Sequence, residues 1–438
     1  MVIDPLSPDD GGVARAGPSL SGQLADSRRL RILALGDVFP WPARDGYRLR
    51  FASVLRALAK IGDIDLFVGA FDGEDDVGEP PSFVDRCAVV AAPLSRPSAV
   101  LAIRTVRSRL PRRILWREWG VAQLRLRRFV RAPYDLVWYS HADSFVALGD
   151  PAFGPAVVDL DNLENFVLRR PSRSMFVFCT RDGRRTHVPR LDVHALARWP
   201  LSRRDIRCWS WLQQRIADEA ASTVVCSDLD RRRLMASTVE VVPNGYEDPG
   251  PSCEPVTRSL DLVMVGHFTY EPNLDGAAWF VRSVLPHLRR LVPEVSIRLV
   301  GRHDDRLAAV ATVPGVTIVG EVNEVGPELR RARGAVVPLL SGSGTRIKVL
   351  EALAYGLPIV TTGVGCEGIG VQPGRHALVC EDPLAFAAAC HQLLTDDALC
   401  ERLRVEGRRL YLDSYGADAI ADRVCALARK VALAPPGS

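Results

Sequence analysis

The sequence predicts an α/β protein of two doubly wound domains facing each other across a cleft, and three observations carry that expectation. Short apolar runs alternate with amphipathic stretches from Arg29 to Lys430, the pattern of parallel βαβ units with helices on both faces of a sheet. At 438 residues the chain is too long for one ordinary core. The alternation breaks at Pro243–Ser259, PNGYEDPGPSCEPVTRS, where Pro, Gly and Ser mark a linker. No segment repeats at a fixed period, so the halves are similar in architecture without being copies.

Taken in order, residues 1–28 are rich in Pro, Gly, Ser and Asp and are expected to be a disordered tail. A Rossmann-like domain over 29–243 takes its strands from RILALGD, DIDLFVGAF, CAVVAAP, YDLVWYS, AVVDLD, TVVCS and VEVVP. Between the first two lies DGYRLRFASVLRALAKIG, a helix in which Leu49, Val54, Leu55 and Leu58 share a face. After a linker at 244–259, a second Rossmann-like domain over 260–410 uses DLVMVGHF, SIRLVG, VTIVG, GAVVPLL, LPIVTT and HALVCED. Residues 411–438 are expected to form a helix that packs back on the first domain, followed by a tail. Sheets of this kind bind ligands beyond the carboxyl ends of their strands, so the site is expected between the domains.

Composition narrows the class. With 47% hydrophobic and 25% charged residues the chain is globular, no apolar run reaches the ~18 residues a bilayer span needs, and the start lacks a basic segment followed by an apolar one. A cytoplasmic protein is expected. The ten cysteines are scattered singly, with no CxxC and no histidine pair at ligand spacing, which argues for reduced thiols over a zinc site or disulfides. Net charge is +4, and lysine occurs only at positions 60, 348 and 430, so local clusters matter more than the total.

The most informative stretch is SGSGTRIKVLEALAYGLPIV, Ser341–Val360. It follows the strand GAVVPLL with a glycine turn, and a helix is expected from Thr345 to Tyr355, with Gly356 past its end and Pro358 opening the next strand. Gly342 and Gly344 let the backbone approach a ligand, the first-turn N–H groups and helix dipole favour an anion, and Arg346 and Lys348 add formal charge. The pattern fits a phosphate or diphosphate grip. Glu351, roughly 9 Å further along the axis at 1.5 Å per residue, suits the hydroxyls of a sugar next to the diphosphate. The alternative is a plain strand-to-helix connection with Lys348 and Glu351 as a surface pair.

These residues, with VVPNG before them and VMVGHFTYEPNLDGAAWFVRSVLP between, resemble glycosyltransferase family 4, the group 1 glycosyltransferases of GT-B fold. The likeness spans nearly all of Arg29–Lys430 and is strongest over Val241–Gly370; VVDLDNLENFVLRR and PARDGYRLRFASVLRALA match more loosely. It implies transfer of a sugar from a nucleotide-sugar donor to a glycan, lipid-linked or small-molecule acceptor, with retention of configuration and without a metal or other cofactor. It implies that Gly344, Arg346 and Lys348 hold the donor diphosphate and Glu351 the ribose, with Gly342, Ser343 and Thr345 also on the donor side. Asp45-Gly46 would close on the diphosphate from the first domain, and His141 would touch the transferred sugar. Arg48 and Glu164 are placed on the acceptor side. Gly46 as a plain turn, His141 as a loop hydrogen-bonder and Glu164 as a helix-start acid are the alternatives.

Three departures from the family pattern stand out. Ser343 occupies the position where many relatives carry a glutamate, the loop glycine pair after the first strand is reduced to one, and GHFTYEPN offers His267 and Asn273 where a cation is usual. Glu367 in GCEG is the candidate substitute for the missing sugar-contacting carboxylate.

Arg104–Arg131 carries ten arginines against one acid, with Ile, Leu, Trp and Phe interleaved. An anionic membrane surface is the expected partner, ahead of a solvated face or nucleic acid, because cationic stretches with aromatics lie in headgroup interfaces. A dehydrogenase is the rival enzyme, through GVGCEG at Gly363–Gly368, but Gly370, Pro373 and Gly374 leave no room for the helix that motif requires. A non-catalytic sugar-nucleotide-binding scaffold and a sugar-nucleotide epimerase of the same fold complete the alternatives.

Overall fold

The computed structural model describes residues 28–43, 46–70, 78–95, 98–131, 133–169, 175–179, 185–189, 193–250, 259–308, 310, 312–342 and 346–435. The expected tail therefore lies outside the described residues except for Arg28, and so do Asp45, Ser343, Gly344 and Thr345.

The first domain is a seven-stranded parallel sheet in the order β3-β2-β1-β4-β5-β8-β9. Its strands are β1 (Leu30–Gly36), β2 (Gly62–Ala70), β3 (Val84–Ala91), β4 (Leu136–Tyr139), β5 (Ala156–Leu160), β8 (Ser222–Val225) and β9 (Val239–Val241). Continuous apolar runs such as Ile32–Leu35 are needed because helices bury both faces of the sheet. An antiparallel hairpin, β6 (Met175–Cys179) with β7 (Arg185–Pro189), interrupts the parallel series and was not expected.

The second domain is a six-stranded parallel sheet, order β12-β11-β10-β13-β14-β15. Here the strands are β10 (Asp261–Val265), β11 (Ser296–Val300), β12 (Val316–Gly320), β13 (Gly334–Val337), β14 (Ile359–Thr361) and β15 (Leu378–Val379). In each domain the strand order reverses beside the first strand of the sheet, between β1 and β4 and between β10 and β13, and crevices open at such points. After β14 the chain makes only a 3-10 turn, Val364–Cys366, where a dinucleotide fingerprint needs a helix.

The helices that matter for the site are α1 (Gly46–Ala59), α2 (Ala99–Arg107), α3 (Arg112–Leu115), α4 (Gly120–Phe129), α5 (Ala142–Leu148), α6 (Glu164–Arg169), α7 (Val193–Glu219), α8 (Glu271–Trp279), α9 (Ile347–Ala354), α10 (Asp397–Ser414) and α11 (Ala417–Ala432). α10 belongs to the second domain through Cys400 and Tyr411. The chain then crosses at Gly416, and α11 lays Ile420, Ala421, Val424, Leu427, Ala428 and Val431 against Val54, Leu55 and Leu58 of α1. The crossing lies later than position 411, where sequence placed the boundary.

α1 also departs from expectation. Leu49 is only half-buried, whereas Arg50 is buried, with Nε and one Nη on the two Asp159 oxygens at 2.8 and 2.7 Å. Its other Nη donates to Val242 O at 3.0 Å and Asn244 Oδ1 at 2.8 Å. The linker thus begins as packed structure, with Asn244 buried, while residues 251–258 lie outside the described residues.

Candidate active site

Loops from the carboxyl ends of the two sheets meet at α9. Gly342, at φ +121°, ends the described part of the β13–α9 loop, and Arg346 serves as the N-cap residue of α9. The helix therefore starts at Ile347, two residues later than expected, because Arg346 has left the helical region (φ −82°, ψ 74°). At the other end Gly356, at φ +62°, closes the helix, with N–H bonds from Gly356 and Leu357 to Leu353 O and Ala352 O.

Arg346 is buried, its Nε donates to Val364 O at 3.0 Å, and its guanidinium lies against Gly342, where an added Cβ would be 3.4 Å from Nη1. Lys348 Nζ donates to Asn273 Oδ1 at 2.5 Å, and that amide is oriented by its own Nδ2 donating to His267 O at 2.8 Å. Gly266 completes the nest: a Cβ there would stand 3.1 Å from Lys348 Nζ. Burial, and then the neighbouring Arg346 charge, push the Lys348 ammonium down to about 7 against a weaker pull from Glu351. Glu351 accepts from Tyr246 Oη at 2.7 Å, and burial raises its carboxyl against the opposing effects of that bond and of Lys348. Lys348 and Glu351 are thus engaged with other elements, and the surface-pair reading does not describe them.

The first domain contributes Gly46 at the start of α1, where a Cβ would meet Ile347 Cδ1 at 2.7 Å. Gly46 therefore abuts the first residue of α9, one position from each of the two cations. Arg48 is half-buried in the same first turn of α1.

His141 follows β4 and caps α5. Its Nδ1 lies 2.9 Å from Asp37 Oδ1, just past β1, and its Nε2 lies 3.0 Å from Asp161 Oδ1, just past β5. The ring packs on Tyr47 at 3.6 Å between centroids, and the Tyr47 hydroxyl donates to the same Asp37 oxygen. Burial opposes a charge on the imidazole, but the carboxylates outweigh it and raise its pKa to about 9. The two flanking carboxylates therefore favour the protonated imidazole, with each ring nitrogen within hydrogen-bond distance of a carboxylate oxygen. Asp37 is held low, as His141 and Tyr47 outweigh burial, whereas burial leaves Asp161 raised. Sequence reasoning passed over Asp37, Tyr47 and Asp161; the available signal was a carboxylate at the carboxyl end of a central strand.

Two expected site carboxylates are bound to arginines. Glu164 accepts from Arg113 at 2.7 Å, and the same guanidinium holds Asp143 at 2.6 and 3.1 Å. Glu367 takes Arg233 of the first domain at 3.3 Å, an ion pair across the cleft.

The chain has known relatives in sequence and in fold. Residues 259–396 match the family model described as "Glycosyl transferases group 1". An uncharacterized 44.6 kDa protein in the cps region of Klebsiella pneumoniae is 24% identical over 139 residues, 30% of this chain and 36% of that protein. Glycogen synthase of Mycobacterium tuberculosis is 28% identical over 240 residues, 50% of this chain and 56% of the enzyme. The chain thus spans between about a third and just over half of these relatives. Among solved structures, Anabaena HepE in complex with UDP and glucose superposes with TM-score 0.58 at 12% identity over 91% of this chain and 99% of that one. Sucrose-phosphate synthase from Thermosynechococcus elongatus gives 0.62 at 18% identity over 91% and 98%. The two facing domains have the GT-B architecture.

Proposed function

We propose that this chain, whose residues 259–396 match the group 1 glycosyltransferase family model, transfers a sugar from a nucleotide-diphosphate sugar to an acceptor with retention of configuration. The observation that carries the proposal is the convergence of Arg346, Lys348 and Gly46 at the carboxyl edges of both sheets. When the bond between the anomeric carbon and the diphosphate oxygen breaks, negative charge grows on the diphosphate. Cations held in place beforehand stabilise that state more than the ground state. The acceptor oxygen attacks from the face the diphosphate leaves, its proton passes to a leaving-group oxygen, and no protein nucleophile or metal is required. Glu351 receives the ribose hydroxyls, while Ser343, Gly344 and Thr345, which the family resemblance puts on the donor side, lie outside the described residues. His141 meets the sugar once one of its two carboxylate bonds yields, and Glu367 does so if Arg233 releases it.

Uridine is the first base to try, since HepE was crystallised with UDP. Thermal unfolding with UDP, GDP and ADP, then incubation of the matching nucleotide sugars with glycan and lipid-linked acceptors, tests the reading. One nucleotide should stabilise the fold, by about 2.7 kcal/mol at a hundredfold excess over Kd, and its sugar should be transferred. No stabilisation by any of the three removes the donor site. Binding without turnover favours the scaffold, and sugar conversion without acceptor favours the epimerase.

For the acceptor we propose a lipid-linked molecule reached from an anionic membrane surface by a cytoplasmic enzyme. α2 exposes Val100, Ile103 and Val106 beside Arg104 and Arg107, and α4 exposes Val121 and Leu124 beside Arg125, Arg127 and Arg128. Arg112 and Arg113 turn inward to Asp205 and to Asp143 with Glu164, so the outward charge is smaller than the sequence count. Among the described residues no helix is long and apolar enough to cross a membrane. The protein is expected to sediment with phosphatidylglycerol vesicles and to be released by salt; no binding at low salt would remove this contact.

A further inference from the structure

We propose that Tyr246 is a positioning residue for Glu351, and that through it the start of the interdomain crossing sets the affinity for the nucleoside half of the donor. The inference rests on the donor-site reading above and adds to it a residue outside the second sheet.

Three observations carry it. The Tyr246 hydroxyl donates to Glu351 Oε1 at 2.7 Å. Both backbone polar groups of Tyr246 are also fixed: its N–H donates to Tyr415 O at 3.1 Å, and its carbonyl accepts from Tyr411 Oη at 2.7 Å, in a parallel bridge to Gly416. On its other side the chain is anchored in the first domain, where Arg50 holds Asn244 and a Cβ on Gly245 would stand 2.9 Å from Ile420 Cγ1. A phenol whose backbone is pinned at both polar groups delivers its proton to one place.

The chemistry follows from the inventory of a carboxylate, which offers about four acceptor sites on two oxygens. One is filled by Tyr246, and the remaining acceptor capacity of the two oxygens suffices for a vicinal diol. The hydroxyl also opposes the effect of burial on Glu351 and so favours the ionised carboxylate, the form that accepts from both ribose hydroxyls. Without the phenol oxygen, Glu351 loses its orienting donor and part of its charge. The α- and β-phosphates, held by Arg346 at the N-cap of α9 and by Lys348 in its first turn, should be little affected, because Glu351 is the weakest of the influences on Lys348. This selectivity separates positioning from general loss of structure.

The test compares wild type with Tyr246→Phe, Glu351→Gln and the double variant, using calorimetric titration with inorganic pyrophosphate and with whichever of UDP, GDP and ADP binds wild type most tightly. Tyr246→Phe is expected to weaken nucleoside diphosphate binding roughly tenfold, the effect of one hydrogen bond to a charged group. Pyrophosphate affinity should stay at the wild-type value, and the double variant should lose no more than Glu351→Gln alone. Equal weakening of both ligands, or additive losses in the double variant, overturns the positioning role, as does unchanged nucleotide binding by Tyr246→Phe. If wild type itself binds none of the three nucleotides, the donor-site reading fails and takes the inference with it. Thermal unfolding of each variant confirms that the comparison is between folded proteins.

Discussion

Arg346→Ala and Lys348→Ala are each expected to lower turnover about 10²- to 10³-fold, the range seen when one pre-placed donor to a developing anion is removed. Arg346 is buried with its Nε on Val364 O, so truncation removes a cation that the fold has already oriented. Lys348 is held by the Asn273 amide, a neutral partner, so a ligand anion does not have to displace a carboxylate from that bond. The measurement is steady-state release of nucleoside diphosphate, with the unfolding midpoint as a control for folding. Turnover within a few-fold of wild type in both variants would place the leaving group elsewhere.

The same pair fixes a pH dependence. In the free protein, burial first and Arg346 second bring Lys348 down to about 7, so it is increasingly neutral as pH rises above that value. A bound diphosphate restores the charged form, so its pKa is higher in the complex and binding takes up a proton above pH 7. Affinity should therefore fall as pH rises from about 7, by up to about tenfold per unit, and Lys348→Met should flatten the profile. Titrations in buffers of differing ionisation enthalpy count the proton directly.

The strands were readable because parallel sheets covered on both faces need long apolar runs, and all seven and six runs are strands. The cluster at α9 was readable for a related reason: its glycine, its cations and its acid lie within ten residues, Gly342 to Glu351, between β13 and the body of α9. What sequence did not disclose was pairing at long range. His141 takes its charge from Asp37 and Asp161, which meet it only because β1, β4 and β5 are neighbours in the sheet. Glu164 could not be known to face Arg113, fifty-one residues earlier, nor Lys348 to face Asn273. Periodicity says which face of a helix is covered; it does not say which polar side chain on that face will find a partner.

Arg50 shows this limit and yields the largest expected loss of stability. In α1 it occupies a core position that a helical pattern would fill with an aliphatic residue, and its charge is tolerated because every arm of the guanidinium is bonded. Burial works against that charge, but the Asp159 carboxylate outweighs it and holds the pKa well above the usual arginine range. The side chains of Arg50 and Asp159 are only 5% and 3% exposed, so removing the cation leaves a carboxylate with no access to water. Arg50→Met should cost about 3–5 kcal/mol, a fall of roughly 10 °C in the unfolding transition of the first domain. Arg50→Lys should recover only part of this, since an ammonium cannot form the bidentate pair and reach Val242 and Asn244 as well. The informative comparison is Arg50→Met with Asp159→Leu: if the penalty comes from the orphaned charge, the double variant is more stable than Arg50→Met alone. A double variant as unstable as the sum of the single ones would show instead that the bonds to Val242 and Asn244, which fasten the crossing to α1, carry the stability.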